Sequence, residues 1–554
     1  MSALPVIATA HGVGEAAEKL GVVVVALLAA IVVLGRPPRM CQRRRALVML
    51  GALVLAPVLL VIDIWHTSQL SHLRHHPAEL AAAIVLGACL VAALAAAIGR
   101  YPRAFPLLAI FALPFRLPVA TGGGTSNLLI PLYLVVAAGA LAWAAPRLRH
   151  PAAFAADSTH DGVRPHNYPS GDSAASRPGE QFTGRWAWMT SPRGLEWVLM
   201  AAVVFYALQA TYSADFTKAL ENTVFFYIPF ALLFALLREV EWSRELLVQC
   251  LAVAVALAVV FVGIGFIEYG RKQLFLNPKV VAADQYGNYF RVNSLFFDPN
   301  IYGRFLALTM IGVMTAVLWS VRRRPVLAGG AALLWLLAGL VTSFSQSSIA
   351  ALLLGLAVLA AHRWDVRATI YVTAALAATA LVVALVAPPS LHLGLSGRGG
   401  SASNATSGRT KLIEGGLRLF AHRPLQGYGP GSFAQEYRTH EHVTSTSATS
   451  ASHTIPVTVA AEQGIVGLAL YVALLISAFA VLFRGAGRSP PRIALAACWA
   501  ALVLHTFTYA DFLEDPETWV LLGIGVALAA AATRVGGEPG GAALPRVEPA
   551  ALTS

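Results

Sequence analysis

The feature that most constrains this chain is a series of continuous apolar runs, most of them about 17 to 24 residues long, which recur from one end to the other. A helix of about 20 apolar residues crosses the hydrocarbon core of a bilayer. Charged residues form only 12% of the sequence, about half of the share in soluble globular proteins. The sequence therefore predicts an all-α fold, a polytopic membrane bundle of about 12–15 transmembrane helices. A transmembrane β-barrel would instead show short alternating segments.

The expected spans lie near residues 18–35, 46–64, 80–99, 104–118, 126–145, 195–212, 222–237, 246–268, 300–321, 326–343, 347–361, 368–387, 456–483, 493–510 and 518–533. The segment 104–118 contains Pro106 and Pro114. Because proline interrupts helical hydrogen bonding, we expect this segment to be kinked or re-entrant.

Arginine-containing loops indicate the orientation of the bundle. If the spans alternate, seven such loops fall on one side: Arg36–Arg45, Arg100–Arg103, 146–194, Arg238–Arg244, Arg322–Arg324, His362–Arg367 and Arg484–Arg492. Basic loops stay in the cytoplasm, so we expect the N-terminus outside and the C-terminus in the cytoplasm. The arginines of these short loops account for the net charge of +12. Because membrane orientation already explains this charge, we expect no nucleic-acid partner.

The chain divides into six predicted regions. These are an N-terminal transmembrane bundle (1–145), a disordered cytoplasmic linker (146–194), a central transmembrane region (195–387) with an outer loop (269–299), a large extracytoplasmic loop (388–455), C-terminal helices (456–534) and a disordered tail (535–554). The linker is rich in Ser, Pro, Gly, Asp and Arg, a composition that cannot bury a core of its own.

Two polar gaps on the expected outer face hold the candidate functional residues. The shorter gap carries Arg291 and leads through Asp298 and Asn300 into a span. In the larger gap, Arg409 opens a helical pattern, and a glycine-rich turn follows at Gly427 and Gly429. His453 comes next, and Glu462 lies in the following span.

These residue types fit transfer from a lipid diphosphate. Arginine is a permanent, bidentate donor to phosphate oxygens, and histidine accepts a proton from an attacking hydroxyl. The charges Arg304 and Arg116 lie within apolar runs, where a charge is a functional candidate by default.

Simpler interpretations stay open for each residue. A loop arginine is often an interfacial anchor, a histidine such as His453 is often merely solvated, and the glycines can serve only a tight turn. Arg304 can extend its charge to the interface. We see no metal-ligand cluster and no nucleotide-binding loop, so we expect no metal and no cofactor.

Three stretches resemble the O-antigen ligase / O-antigen polymerase superfamily of bacterial membrane glycosyltransferases. They are Arg291–Asn300, the hairpin Thr342–Ser348, and the long stretch from Arg409 through Pro424–Gly429 and His453 to Glu462–Gly467. The likeness covers roughly 195–485. The family usually has Asn after the histidine and often Arg in the hairpin, where this chain has Thr454 and Gln346.

The resemblance implies a bacterial inner-membrane enzyme with an undecaprenyl-diphosphate-linked glycan as donor, inversion at the anomeric carbon and no metal. By motif position, Arg291 and Arg409 would hold the diphosphate and His453 would orient or deprotonate the acceptor hydroxyl. Arg304, Asn300, Gly427, Gly429 and Glu462 are the expected substrate-binding residues. The identity of the acceptor stays open: it is a lipid-A core, another lipid-linked glycan, a protein hydroxyl or a wall polymer. Membrane lipids are expected to surround the protein.

Two other functions remain as alternatives. A transporter or flippase of lipid-linked oligosaccharides should line a central cavity with buried charges, whereas the spans here carry few. A structural scaffold gives no reason for the loop from Arg409 to His453.

Overall fold

The computed structural model describes residues 4–36, 40–65, 74–121, 124–149, 188–276, 290–364, 367, 409–442, 452, 454–509 and 511–535. Within these residues the chain is almost entirely helical. The helices are α1 (Leu4–Leu34), α2 (Gln42–Ile64), α3 (Pro77–Arg100), α4 (Ala104–Ala112), α5 (Ile130–Arg149), α6 (Pro192–Ala210), α7 (Phe216–Asn222), α8 (Ile228–Glu239), α9 (Arg244–Arg271), α10 (Pro299–Leu318), α11 (Arg323–Thr342), α12 (Gln346–Arg363), α13 (Arg409–His422), α14 (Phe433–Glu441), α15 (Ile455–Phe483), α16 (Pro490–Thr506) and α17 (Pro516–Val535).

Eleven of the helices in the described residues are long and apolar enough to cross a membrane. One of these eleven is the continuous stretch Phe216–Glu239, in which a π-helical turn at Thr223–Tyr227 joins α7 to α8. A shorter apolar helix covers Pro516–Ala532. The prediction of a polytopic helical membrane protein is confirmed, while the expected span at 368–387 lies outside the described residues. At the ends of the predicted linker 146–194, helix α5 continues to Arg149 and helix α6 begins at Pro192.

The segment 104–118 is not a helical span. Helix α4 has nine residues, about 13 Å of length against the roughly 30 Å of a bilayer core. An antiparallel hairpin then pairs β1 (Leu117–Thr121) with β2 (Gly124–Leu128). Pro114 and Pro118 explain the difference, because each lacks an N–H and disfavours helix in the residue before it. Leu113 and Pro114 are buried, as non-helical backbone at membrane depth must be.

Arginine-containing loops meet at one end of the bundle. Glu196, fully buried in α6, pairs with Arg36 from the end of α1, Arg193 from the start of α6 and Arg238 from the end of α8. Arg45 pairs with Glu239, and Arg103 with Glu245. Four of the predicted basic loops are therefore on the same end.

Four segments lie at the opposite end of the bundle: the start of α10, the turn between α11 and α12, the start of α15 and the loop between α16 and α17. Three hydrogen bonds show the convergence. Val292 N donates to Thr342 O at 3.1 Å, Thr454 Oγ1 to Phe507 O at 3.2 Å, and Ala214 N to Tyr428 O at 3.1 Å. The two predicted polar gaps thus contribute to one end of the molecule.

Helix α15 is interrupted at Gly464, which has φ +66° and ψ −165°. The loop before α14 enters this break, and Ile465 N donates to Pro424 O at 2.8 Å. Gln209 of α6 stabilises this junction, because its Nε2 donates to the carbonyl oxygens of Gln426 at 3.1 Å and Gln463 at 3.2 Å. These bonds satisfy backbone groups that the break releases.

Gly464→Ala should detach this loop. A Cβ at position 464 would lie 2.3 Å from Leu425 O, and the backbone conformation there, which is essentially restricted to glycine, adds a cost of about 1–3 kcal/mol. We expect a lower thermal unfolding midpoint and faster proteolysis of the 424–442 segment. Gly263→Ala is the matched control, since a Cβ there meets no atom within 4 Å. Equal behaviour of the two variants would contradict the prediction.

Candidate functional site

Arg291 is held against two helices at the end of the bundle opposite the Glu196 cluster. Its guanidinium donates from Nη2 to Asn300 Oδ1 at 3.1 Å and from Nε to Ser343 O at 3.2 Å. Asn300 is the second residue of α10, and Ser343 follows the last residue of α11. The structure therefore brings together two of the predicted site residues, Arg291 and Asn300, beside the hairpin that the sequence also singled out.

A buried carboxylate fixes the segment that carries Arg291. Glu268, which has no exposed surface, accepts from the backbone N–H of Ser294 at 2.7 Å and of Phe275 at 2.9 Å. Ser294 has φ +52°, which costs a residue with a Cβ about 1–2 kcal/mol. The charge-assisted bonds to Glu268 offset this strain and hold the turn that presents Arg291.

A buried network of hydroxyl groups and one imidazole continues from Asn300. Ser345 Oγ donates to Asn300 Oδ1 at 2.9 Å and lies 2.7 Å from Ser348 Oγ. His505 Nε2, near the end of α16, lies 3.3 Å from Ser348 Oγ and 3.2 Å from Ser347 Oγ. We call this set, Arg291 with Asn300, the three serines and His505, the Arg291 network. It joins α10, α12 and α16.

His453 lies outside the described residues, but the residues on either side of it are described. Thr454 Oγ1 donates to Phe507 O, two residues beyond His505. Ser452 Oγ lies 2.7 Å from Thr458 Oγ1 in α15. Of the two residues that flank His453, Thr454 is therefore bonded close in sequence to His505, and Ser452 is bonded to the first turn of α15.

Arg409 is the first residue of α13, and its side chain lies outside the described part of the structure. Helix α13 packs on α14 and α15 through the buried Leu412 and Leu419. Gly416 permits the close approach, since a Cβ there would lie 2.5 Å from Val457 Cγ1. Arg409 thus begins a helix that is fixed against the first turns of α15.

Gly427 and Gly429 are buried and have positive φ, +65° and +94°. A Cβ at Gly427 would lie 2.2 Å from Glu462 O, and one at Gly429 would lie 2.3 Å from Ser213 Cα. Both positions need glycine for close backbone packing. Contact of these glycines with a substrate stays a prediction.

The Glu462 side chain, 8% exposed, caps the start of α14 and borders an open cleft. Its Oε1 accepts from the backbone N–H of Phe433 at 3.0 Å. The cleft wall also includes Glu514 and Tyr227, whose hydroxyl donates to Glu514 Oε1 at 2.9 Å. Glu462 is therefore both a structural acceptor and a carboxylate at the edge of a cavity.

Arg304 is buried in α10, with 1% exposed, and forms ion pairs with two carboxylates of the α16–α17 region. Its Nη2 lies 2.7 Å from Asp515 Oδ2, and its Nε lies 3.1 Å from Glu517 Oε2. Burial raises the pKa of nearby Asp511 to about 7, while Arg304 and Arg116 lower it. The structure places Arg304 in a charged cluster inside the protein, and direct substrate contact by Arg304 stays a prediction.

Sequence reasoning missed Gln209, Glu268 and His505. Glu268, Gln209 and His505 are polar residues inside apolar runs, and polar side chains in spans are expensive unless they find partners. Their position within apolar runs indicates that these side chains need polar partners, but it does not identify the partner of each residue. In the part of the chain that the structure describes, no three His, Cys, Asp or Glu side chains form a group of metal ligands.

Residues 331–472, about a quarter of the chain, match a family model described as O-antigen ligase. The match contains Arg409, Gly427, Gly429, His453 and Glu462, and it begins after Arg291, Asn300 and Arg304. No curated protein matches the chain. The chain is a multi-pass helical membrane protein, and its residues 331–472 are similar to the O-antigen ligase family, which supports a relationship to the O-antigen ligase superfamily.

Proposed function

We propose that this protein transfers a glycan from an undecaprenyl diphosphate carrier to an acceptor hydroxyl during assembly of a cell-surface polysaccharide. The single observation that carries the proposal is the O-antigen ligase match, which contains Arg409 and His453. The hydrogen bond from Thr454 to Phe507, two residues beyond His505, is consistent with it. The reaction takes place on the extracytoplasmic face of the bacterial inner membrane. The end with the paired arginine loops then faces the cytoplasm.

In the proposed step, the acceptor oxygen attacks the anomeric carbon, and the bond from that carbon to the phosphate oxygen breaks. Undecaprenyl diphosphate leaves, and the hydroxyl proton passes to the imidazole of His453. Attack from the face opposite the leaving group inverts the anomeric carbon. Arg291 and Arg409 stabilise the negative charge that grows on the diphosphate.

The described contacts support a fixed cation at this site. Asn300 and the carbonyl of Ser343 set the plane of the Arg291 guanidinium, and Glu268 sets the backbone beside it. A donor that is oriented before the reaction needs no reorganisation in the transition state. We propose that the two guanidinium groups supply this stabilisation without a metal ion.

Reconstitution tests the proposal. Purified protein in liposomes should transfer an undecaprenyl-diphosphate-linked glycan to glycolipid or polysaccharide fractions of the same envelope, without nucleotide and in the presence of EDTA. The product should have the inverted anomeric configuration by NMR. A wild-type protein that transfers nothing from this donor, or that stops when EDTA is added, would contradict the proposal.

Arg291→Ala should lower kcat/KM about 10²–10³-fold, the range for loss of one preorganised donor to developing charge. Arg291→Lys should recover only part of the loss, because an ammonium cannot bind two oxygens in the plane of a guanidinium. Initial rates at varied donor concentration measure both variants. Arg103→Ala, an exposed arginine at the opposite end, is the control and should keep the wild-type rate. An unchanged rate in Arg291→Ala would remove Arg291 from the diphosphate site.

A further inference from the structure

The hydroxyl groups and the imidazole beside Asn300 are buried and closely packed. Ser345, Ser348 and His505 have no exposed surface. Helix α10 approaches them at Gly303, where a Cβ would lie 2.7 Å from Ser348 Oγ. Because bulk solvent does not reach these side chains, each polar atom depends on its neighbours for hydrogen bonds. The distances between these atoms therefore limit which group donates to which.

The direction of the hydrogen bonds is fixed at Asn300. Its Oδ1 accepts from Arg291 Nη2 at 3.1 Å. A guanidinium has no acceptor, so the amide oxygen and not the amide nitrogen must face Arg291. The same oxygen lies 2.9 Å from Ser345 Oγ. Because an amide oxygen only accepts, the single hydroxyl proton of Ser345 is directed to Asn300.

The second serine continues the same direction. Ser345 Oγ lies 2.7 Å from Ser348 Oγ. Since the proton of Ser345 is already directed to Asn300, Ser345 accepts in this contact and Ser348 donates. Ser348 Oγ also lies 3.3 Å from Asn300 O and 3.3 Å from His505 Nε2. The 2.7 Å contact is the shortest of the three, and the proton of Ser348 therefore belongs to it.

The Ser348 hydroxyl then offers only lone pairs to His505. An Nε2 without a proton would place two acceptors 3.3 Å apart in a buried position, which is unfavourable. An Nε2–H avoids this conflict, because it donates to Ser348 Oγ and to Ser347 Oγ, which lies 3.2 Å away. Ser347 then directs its own proton to Ser345 Oγ at 3.1 Å. A proton on Nε2 thus satisfies the three hydroxyl groups together.

We propose that His505 is a positioning residue for Arg291, and that its Nε2–H starts a one-directional chain of hydrogen bonds. The chain runs from His505 through Ser348 and Ser345 to Asn300 Oδ1, and each bond strengthens the next. It holds the amide oxygen of Asn300 toward the guanidinium. The effect of His505 on transfer rests on the proposed function, whereas the direction of the chain does not.

Two substitutions at His505 test this role. His505→Leu has no donor, so Ser348 turns its proton to Asn300 O, and Arg291 loses its fixed orientation. We expect kcat/KM for the undecaprenyl-diphosphate-linked donor to fall about tenfold, the scale of one buried hydrogen bond. His505→Gln supplies an amide N–H near the position of Nε2 and should recover most of the wild-type rate. A wild-type rate in His505→Leu, or an equal loss in both variants, would overturn the proposal.

A double-mutant cycle separates positioning from packing. If His505 acts through Arg291, His505→Leu should lower the rate no further in an Arg291→Ala background. The same additional loss in both backgrounds would assign His505 to the packing of α16 and overturn the proposal. Thr506→Val is the matched control. Thr506 is also fully buried, but its hydroxyl donates to Val503 O within α16, and its loss should leave the transfer rate unchanged.

Nitrogen-15 NMR measures the direction of the chain without turnover. In protein labelled at histidine, the Nε2 signal that disappears in His505→Gln should be of the protonated, pyrrole type. A pyridine-type Nε2 would overturn the proposal, whatever the kinetics. A protonated Nε2 in a protein whose Arg291→Ala variant transfers at the wild-type rate would count against the proposed function of Arg291 alone, because the chain itself would be confirmed.

Discussion

His453→Ala is expected to lower kcat about 10²–10⁴-fold, the usual contribution of a positioned general acid or base. The proton of the attacking hydroxyl then has no acceptor other than water. Binding of undecaprenyl diphosphate should persist, because the proposed diphosphate contacts come from Arg291 and Arg409. Single-turnover rates and carrier binding, measured on the same preparation, separate the two effects.

His362→Ala is the matched control for this prediction. His362 is exposed near the end of α12, where its Nδ1 lies 2.9 Å from the carbonyl oxygen of Val358 in the same helix. Its loss should leave the transfer rate at the wild-type value. A His453→Ala protein with a wild-type rate would show that the acceptor hydroxyl loses its proton to another group, and the role of His453 would have to be withdrawn.

Arg304→Ala is expected to destabilise the protein by about 3–5 kcal/mol, the typical effect of removing one partner from a buried ion pair. The substitution leaves Asp515 and Glu517 without the cation that neutralises them. Asp515 is 1% exposed, so water cannot replace the lost contact. Unfolding in a denaturant series, in detergent, measures the difference.

A triple variant distinguishes the charge effect from loss of packing. Arg304→Met with Asp515→Asn and Glu517→Gln removes all three charges at nearly constant volume, and most of the lost stability should return. Arg103→Ala, which breaks an exposed pair with Glu245, should change stability little. Equal stability of Arg304→Ala and wild type would mean that the buried pairs contribute nothing to the fold.

The transmembrane architecture was accessible from the sequence because it depends on a local property. A continuous apolar run must bury its backbone hydrogen bonds within itself when lipid surrounds it, and only a helix does so. The spans near 246–268, 300–321 and 456–483 correspond to α9, α10 and α15 within a few residues of their ends. At 104–118 the expected interruption is present, because the helix stops at Ala112. The buried Leu113 and Pro114 show that part of this non-helical backbone is covered by protein, which hydropathy alone does not reveal.

Some residues of the candidate site were recognised from the sequence, and others were found only in the structure. Arg291, Asn300 and the Ser343–Ser348 hairpin were recognised from their positions in polar gaps, and the structure joins them by hydrogen bonds. His505 and Glu268 were missed because their partners lie far away in sequence. Hydropathy shows that such residues need partners but not where the partners are.

By itself, the sequence determined that the chain crosses a membrane many times, which loops carry the positive charge, and which polar residues interrupt the apolar pattern. Only the tertiary structure decided that Gly464 breaks α15 where the loop at Pro424 packs, that Arg304 is neutralised by Asp515 and Glu517, and that His505 lies against Ser347 and Ser348. The reason is physical. Burial in lipid acts on each segment separately, whereas pairing of buried polar groups depends on which segments meet, and that is a property of the whole bundle.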